Sequence, residues 1–308
     1  MAQMRGGQVL SVLWGLSALV TGGLPPGYDL GEALKCAQLS SITYCINDMA
    51  GWTCPYCTNP CVDQIKLTAV LTNKTSDTHG FVAVDDAAKT LYVAFRGTAD
   101  LRNWITDLDA ITKANVTLPL CGGSDGVAAR VLVHSGFYYG FEALRMQMNT
   151  ALRALATTGR ADYKVVVTGH SLGAALATLA GVALVCDDRF NSQPLVVYNF
   201  GSPRIGNDAL YELVEVALSD QLRILRHTHW QDPVPHLPLE MMGYHHVARE
   251  YFLGEYWAPP QGNHSVQECD GSGEDPKCAD QFDLPDNIDN HLQYFNVTLS
   301  STACTAVP

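Results

Sequence analysis

The stretch from residue 163 to residue 184 constrains the fold most, because three segments of different character follow one another. Residues 163–168 read YKVVVT, an apolar β-branched run that predicts a buried strand. Residues 174–180 read AALATLA, strong helix formers with small side chains that can pack closely on a sheet. Between them Ser171 stands in a G-x-S-x-G pattern between Gly169 and Gly173. We therefore predict a nucleophile elbow, in which a sharp turn lifts the serine oxygen clear of the sheet.

A second G-x-S-x-G pattern lies at residues 122–126, so the pattern alone does not identify a nucleophile. Its serine, Ser124, stands in the glycine-rich sequence CGGSDG, with no strand-like run before it. That setting is typical of a surface turn. Only Ser171 has the strand, turn and helix that the chemistry needs.

The composition indicates a folded chain with a large core, since 47% of the 308 residues are apolar and 16% are charged. A formal net charge of −12 argues against nucleic acid as a partner, because nucleic acid demands a basic face. No repeat or low-complexity tract divides the sequence. We expect one domain over residues 24–308.

The first residues have the pattern of a secretory signal peptide. Arg5 precedes a mostly apolar run at residues 9–20, which small residues and a proline pair follow. The run is too short to span a bilayer, so we expect no transmembrane anchor and assign residues 1–23 to the leader. Secretion also agrees with four N-x-[ST] sequons, which would carry glycans, at Asn73, Asn115, Asn263 and Asn296.

Ten cysteines, an even count in a chain with this leader, predict disulfides. Cys54 and Cys57 form a C-x-x-C pair that is also found in redox enzymes, and Cys61 nearby allows a zinc knuckle. A redox pair belongs between a strand and a helix in a reducing compartment, and zinc needs a second ligand pair. We expect a structural disulfide and no metal.

A nucleophilic serine needs a histidine base and an acid. In folds that carry the serine on a strand–turn–helix elbow, these residues follow along the chain in the order serine, acid, histidine. Asp232 lies just beyond a strand-like run at residues 222–225, although the proline after it also fits a simple turn. Among the later histidines, His291 and the pair His245 and His246 are the candidates for the base. Spacing alone does not decide between them.

An oxyanion also needs hydrogen-bond donors. One is the backbone N–H of Leu172, and a second is Thr98, which follows the strand-like run at residues 91–95. Directly beyond Thr98, four apolar residues at helical spacing form a one-sided stripe: Leu101, Trp104, Ile105 and Leu108. The stripe fits either a surface helix facing the core or a lid.

The order of the motifs resembles the secreted fungal class 3 lipases of the filamentous-fungus triacylglycerol lipase type. The similarity extends over nearly all of the chain after the leader. It rests on these segments: TYC at 43–45, FRGT at 95–98, RNWITDL at 102–108, VHSGF at 133–137, VTGHSLG at 167–173, GSPRIGN at 201–207, DPVPHLP at 232–238 and DNHLQYF at 289–295.

The resemblance implies an α/β-hydrolase fold, with a mostly parallel central sheet flanked by helices and a helical lid at about residues 99–109. It implies Ser171 as nucleophile, Asp232 as acid and His291 as base, which favours His291 over the histidine pair. It further implies Thr98 and Leu172 as the oxyanion hole. The remaining implied roles are those of three side chains: Asp107 orienting Thr98, Trp104 on the lid, and His236 as a structural neighbour of the triad.

The implied activity is hydrolysis of carboxylic esters of acylglycerols through an acyl-enzyme, with no cofactor and no metal. The implied partner is the lipid–water interface, and we expect a monomer. The resemblance also implies three disulfides: Cys45–Cys304, Cys54–Cys57 and Cys269–Cys278. Of the four further cysteines, we expect Cys36 to pair with Cys61, and we make no prediction for Cys121 and Cys186.

Two alternatives stay open at this stage. One is a feruloyl-type or other carboxylesterase on the same fold, although such relatives carry a polar flap where this chain has Leu101, Trp104 and Ile105. The other is an inactive lipid-binding protein, which the presence of Ser171 and its predicted partners disfavours. A serine-directed fluorophosphonate separates an enzyme from a pure binder, since only the enzyme is labelled.

Overall fold

The computed structural model describes residues 24–98, 100–101, 103–105, 115–117, 126–187, 195–247, 249–255, 266–283 and 285–305, with only the backbone at 115–117. Several predictions concern residues outside these ranges: the leader at 1–23, the lid residues Asp107 and Leu108, Ser124, Cys121, and the sequon residue Asn263. The side chain of Asn115 also lies outside the description.

The strands of the described residues are β1 (Lys66–Asn73), β2 (Thr78–Asp85), β3 (Thr90–Phe95), β4 (Asn115–Thr117), β5 (Leu132–His134), β6 (Lys164–His170), β7 (Leu195–Phe200), β8 (Leu222–His229), β9 (Glu250–Leu253), β10 (Val266–Glu268), β11 (Gln293–Tyr294) and β12 (Val297–Thr298). Eight of these strands form one sheet in the order β1-β2-β3-β6-β7-β8-β9-β10. The strands β3, β6, β7, β8 and β9 run parallel, and antiparallel strands flank them on both sides. The predicted fold class, a mostly parallel sheet flanked by helices, is therefore confirmed.

Helices cover both faces of the sheet. They are α1 (Leu30–Ile42), α2 (Ile46–Met49), α3 (Ser135–Leu155), α4 (Leu172–Val185), α5 (Asp208–Glu212) and α6 (Ile288–His291). Alternate residues of a strand point to opposite faces. Along β3, Val93 accordingly joins the core beneath α3 and α4, whereas Tyr92 joins the core beneath α1. No helix in the described residues combines the length and apolar character that crossing a bilayer requires.

The parallel strands bring the predicted site residues to one edge of the sheet, because parallel strands end on the same side. Thr98 follows the end of β3, Ser171 follows β6, and Asp232 follows β8. His291 arrives from the other direction, on the short helix α6 near the C-terminus. The topology therefore assembles the site from four distant parts of the chain.

The three disulfides that the resemblance implies are present: Cys45–Cys304, Cys54–Cys57 and Cys269–Cys278. The expected bridge between Cys36 and Cys61 is wrong, since both thiols are free. Cys36 is fully buried on the face of α1 that packs against the sheet, whereas Cys61 is exposed. Their side chains therefore lie in different environments, and burial raises the pKa of the Cys36 thiol. Cys186 is disulfide-bonded.

Two sequon asparagines can be placed. Asn73 ends β1, and its side-chain oxygen accepts hydrogen bonds from the backbone N–H groups of Thr75 and Ser76, at 3.0 and 3.2 Å. Asn296 is exposed in the tight turn between β11 and β12. Glycosylation at either position stays a prediction.

Candidate active site

Ser171 occupies the sharp turn between β6 and α4, where the sequence predicts an elbow. Its backbone has φ 58° and ψ −128°, a conformation that L side chains rarely adopt. The flanking glycines make this turn possible, because a Cβ at Gly169 would collide with the backbone of Gly173, and one at Gly173 with the backbone of Phe95. The chain thus holds the serine in a strained position that close backbone packing enforces.

Asp232 and His291 form a buried pair. The Nδ1 atom of His291 lies 2.9 Å from both carboxylate oxygens of Asp232, and the two side chains are at most 1% exposed. A carboxylate can only accept, so the histidine donates from Nδ1. In the neutral ring Nε2 then carries the free lone pair, which is the form that a general base needs.

Two polar atoms of the site are buried and have no hydrogen-bond partner among the described residues: Ser171 Oγ and His291 Nε2. A buried polar group without a partner costs free energy, so such atoms are rare and call for an explanation. Here they are the two atoms between which a proton passes when a serine is activated.

The carboxylate of Asp232 is held in its charged form. Burial alone raises the pKa of this group, but the charge of His291 and hydrogen bonds from three donors outweigh burial and lower the pKa below its usual value. One donor is Tyr294, whose hydroxyl lies 2.6 Å from Oδ2, and another is the backbone N–H of Val234, 2.8 Å from Oδ1. The sequence analysis did not identify Tyr294, although it stands three residues after His291.

A second chain of contacts, also not predicted, links Tyr44 to the histidine of the elbow. His170 Nε2 donates to the backbone carbonyl of His291 at 2.8 Å, so its Nδ1 accepts from the Tyr44 hydroxyl at 2.7 Å. Burial and the neighbouring His291 hold the pKa of His170 well below its usual value. The neutral His170 ring therefore fixes the position of the His291 backbone.

The predicted oxyanion donors come from two different parts of the chain near Ser171. Leu172 begins α4, where the N–H groups of the first turn have no partner in the helix. Thr98 is half-buried just beyond Gly97, and its hydroxyl accepts from the Asp100 backbone N–H at 3.3 Å. A Cβ at Gly97 would collide with the Tyr44 hydroxyl and the His170 carbonyl, so only glycine lets this loop pass so close to the serine.

The other candidate histidines have structural partners instead. His246 Nε2 donates to the carbonyl of Pro235 at 2.7 Å, and His245 Nδ1 donates to the carbonyl of His246 at 2.7 Å. His236 lies with Nδ1 3.8 Å from Asp280, and burial lowers its pKa to about 4. Of the three alternatives left by spacing, His291 alone contacts Asp232 in the described residues.

Two clusters in the described residues have the ligand types of a metal site, but neither suits a metal. In the first, Cys269 and Cys278 are joined in a disulfide, which removes their thiolates as ligands. In the second, three carboxylates surround the guanidinium of Arg204, which bonds Glu274 at 2.7 Å. A cation already fills that place.

Two cavities that the described residues line lie beside the triad and share Ile288. The first, of about 330 Å³, contains Ser171, Thr98 and Leu101. The second, of about 440 Å³, is mostly apolar and is lined by Ile105, Pro233, His236, Leu237, Leu239, Asp283, Pro285, Asp286 and Ile288. Trp104 is half-buried against the core, with its ring 6.2 Å from that of Phe137. Of the predicted lid, Leu101 lines the first cavity and Ile105 lines the second.

Comparison with known proteins identifies similar chains. The family described as "Lipase (class 3)" matches residues 92–242. The lipase of Rhizopus niveus is 31% identical over 276 residues, which cover 89% of this chain and 65% of the relative. The secreted mono- and diacylglycerol lipase 1 of Fusarium solani is 32% identical over 288 residues, covering 91% of this chain and 80% of the relative. The chain spans just under two thirds of the length of the Rhizopus relatives.

Solved structures show the same similarity. The lipase from Rhizopus microsporus var. chinensis superposes with a TM-score of 0.75 at 30% identity, covering 88% of each chain. A triacylglycerol lipase whose catalytic centre is a serine protease triad has a TM-score of 0.75 at 28% identity, covering 90% of this chain and 98% of that one.

Proposed function

The chain belongs to the class 3 lipase family, and we propose that it is a secreted lipase that hydrolyses the carboxylic ester bonds of acylglycerols. In this proposal Ser171 is the nucleophile, His291 the general base and Asp232 the acid that orients the base. The observation that carries it is the pair of buried, unpartnered atoms, Ser171 Oγ and His291 Nε2, beside a fixed Asp232. Relatives named as lipases of mono-, di- and triacylglycerols support the substrate class.

The first half of the reaction forms an acyl-enzyme. His291 Nε2 takes the proton of Ser171 as Oγ attacks the ester carbonyl carbon, and Asp232 stabilises the imidazolium that results. The carbonyl oxygen becomes an oxyanion, which the Leu172 N–H and the Thr98 backbone and hydroxyl stabilise with hydrogen bonds. His291 then returns the proton to the leaving alkoxide, which departs as an alcohol.

The second half releases the fatty acid. A water molecule gives a proton to His291 Nε2 as it attacks the acyl carbon, which forms a second oxyanion. When this oxyanion collapses, the bond between the acyl carbon and Ser171 Oγ breaks, His291 returns the proton to Oγ, and the fatty acid leaves. In both halves of the reaction, His291 Nε2 accepts and returns a proton, and hydrogen-bond donors stabilise the oxyanion. Tyr294 and His170 contribute by holding Asp232 and His291 in place.

In this proposal the lid segment controls access of the lipid substrate to the active site. Leu101 borders the cavity of Ser171 and Ile105 borders the apolar cavity, so these two residues of the segment lie beside the site. At a lipid surface the apolar side chains bury themselves in acyl chains instead, which favours the open state. We propose that the chain acts as a monomer at this interface.

The proposal is tested by comparing four single variants on an emulsified diacylglycerol. Ser171→Ala and His291→Ala should each lose nearly all activity, because triad members act as a unit. Ser124→Ala and His246→Ala are the matched controls, and Ser124→Ala should retain the wild-type rate. Loss of activity in Ser124→Ala equal to that in Ser171→Ala contradicts the assignment. If His246→Ala is inactive while His291→Ala is active, the base is a different histidine.

A further inference from the structure

One wall of the cavity around Ser171 is polar, and the mechanism does not use it. The wall consists of Asp289, Ser300, Ser301 and Thr302, which we call the polar wall. Asp289 belongs to α6 and is exposed, and Ser300 to Thr302 belong to the turn before Cys304. In a site for apolar chains alone, four polar side chains on one wall are unexpected.

The neighbouring cavity shows the contrast. It shares Ile288 with the first cavity but is lined mainly by leucine, isoleucine and proline side chains, with no serine or threonine among its described residues. Its polar residues are His236, Asp283 and Asp286, and none of them carries a hydroxyl group. Among the described residues, serine and threonine hydroxyls therefore line the first cavity and not the second.

The polar wall has unused hydrogen-bonding capacity. Ser300 Oγ and Thr302 Oγ1 are hydrogen-bonded to each other at 2.7 Å, which leaves one of the two hydroxyl hydrogens free to donate and both oxygens able to accept. Among the contacts of the described residues, none involves the Asp289 carboxylate or the Ser301 hydroxyl. A carboxylate accepts two or more hydrogen bonds, and a serine both donates and accepts.

The wall is also held in place. The Cys45–Cys304 bridge ties the turn to the residue after Tyr44, and Tyr44 itself lines the cavity and contacts His170. A backbone hydrogen bond from Ala303 to Ser300 closes the turn at 3.1 Å. The turn that carries Ser300, Ser301 and Thr302 is therefore tied to the segment of Tyr44, which contacts His170 of the elbow.

Resting on the proposed function, we propose that the polar wall binds the free hydroxyl groups of glycerol, so that mono- and diacylglycerols are the preferred substrate class. A free hydroxyl donates to Asp289 and exchanges hydrogen bonds with Ser301 and Thr302. A third acyl chain in the same place displaces water from these groups and returns no hydrogen bond, which costs free energy. A site that hydrogen-bonds a substrate hydroxyl rejects the analogue that lacks it.

The test uses two substrates that differ only in their hydroxyls: 1-octanoylglycerol and its 2,3-di-O-methyl ether. Wild-type protein should favour the free glyceride by about tenfold or more in kcat/KM, since more than one hydrogen bond is involved. The double variant Ser301→Ala, Thr302→Val and the single variant Asp289→Ala should each reduce this preference about threefold to tenfold. The control Thr305→Val removes a hydroxyl from the same turn outside the cavity and should keep the preference.

The outcomes separate this inference from the proposed function. If the protein hydrolyses neither of the two substrates, the proposed function is contradicted. Equal kcat/KM on both substrates leaves the lipase activity standing and overturns the hydroxyl site. A preference that survives in both the double variant and Asp289→Ala, with melting temperatures like that of wild type, also overturns it, because other residues then read the hydroxyls.

Discussion

Removing the Cys45–Cys304 bridge should destabilise the fold much more than removing the Cys54–Cys57 bridge. The first closes a loop with a sequence separation of 259 residues, and the second one of 3 residues. In the chain-entropy account, the free energy of unfolding that is lost with a bridge scales with the logarithm of the loop length. This gives a loss of about 5 to 6 kcal/mol for the long loop and about 1 to 2 kcal/mol for the short loop.

Loss of packing predicts a different order, which makes the comparison informative. Cys54 and Cys57 are each 1% exposed, whereas Cys45 is 3% exposed and its partner Cys304 is only half-buried. If lost contacts in the core set the cost, the Cys54–Cys57 pair should be the more expensive to remove. If loop closure in the unfolded chain sets the loss of stability, removing the Cys45–Cys304 pair should destabilise the protein more.

The assay is urea unfolding of two double variants, Cys45→Ala with Cys304→Ala and Cys54→Ala with Cys57→Ala, followed by circular dichroism. The free energy of unfolding is obtained from the midpoint and the slope, so a change in the unfolded state appears as a changed slope. Equal losses in the two variants, or a larger loss without Cys54–Cys57, refute the loop-closure reasoning.

Two further predictions concern the lid and acid stability. Trp104→Ser should reduce hydrolysis of an emulsified glyceride severalfold more than hydrolysis of a soluble short-chain ester, because in the proposed open state Trp104 contacts the lipid surface. A parallel fall of both rates and of the melting temperature rules out a lid role. His227 is fully buried, and burial lowers its pKa from 6.5 to about 3. The unfolded chain therefore binds this proton first as the pH falls, so the stability that neutral His227 contributes is complete above pH 6.5 and is lost toward pH 3, by up to about 5 kcal/mol. His227→Phe should be less stable at pH 7, because Tyr28 and Asn199 lose a partner, but its free energy of unfolding should fall less between pH 6.5 and pH 4; an unchanged fall contradicts this assignment.

The elbow was predictable because its determinants are local. The β-branched run, the two glycines and the alanine-rich helix all lie within about twenty residues of Ser171, and each acts through short-range sterics. The edge of the sheet where Thr98 and Asp232 gather follows in turn from strands that run parallel. Local pattern thus predicted the elbow at Ser171 and made Thr98 and Asp232 candidates, whereas the fold class was implied by the family resemblance.

The long-range contacts of the site could not be predicted from local sequence patterns. The bond between Asp232 and His291 spans 59 residues, and that between Tyr44 and His170 spans 126. Spacing left three histidines open, and only the family resemblance favoured His291. A sequence also does not show in which direction a side chain points, which is why the expected pairing of Cys36 with Cys61 was wrong: one lies in the core beneath α1 and the other faces solvent.

The most direct test of the account is to find which residue a fluorophosphonate modifies. The protein is labelled at neutral pH, digested, and the adduct is located by mass spectrometry, with His291→Ala as the control in which the nucleophile is present without its base. The account predicts one adduct per chain, on Ser171, formed much more slowly in His291→Ala. An adduct on Ser124 or another serine, or no adduct in an intact protein, contradicts it.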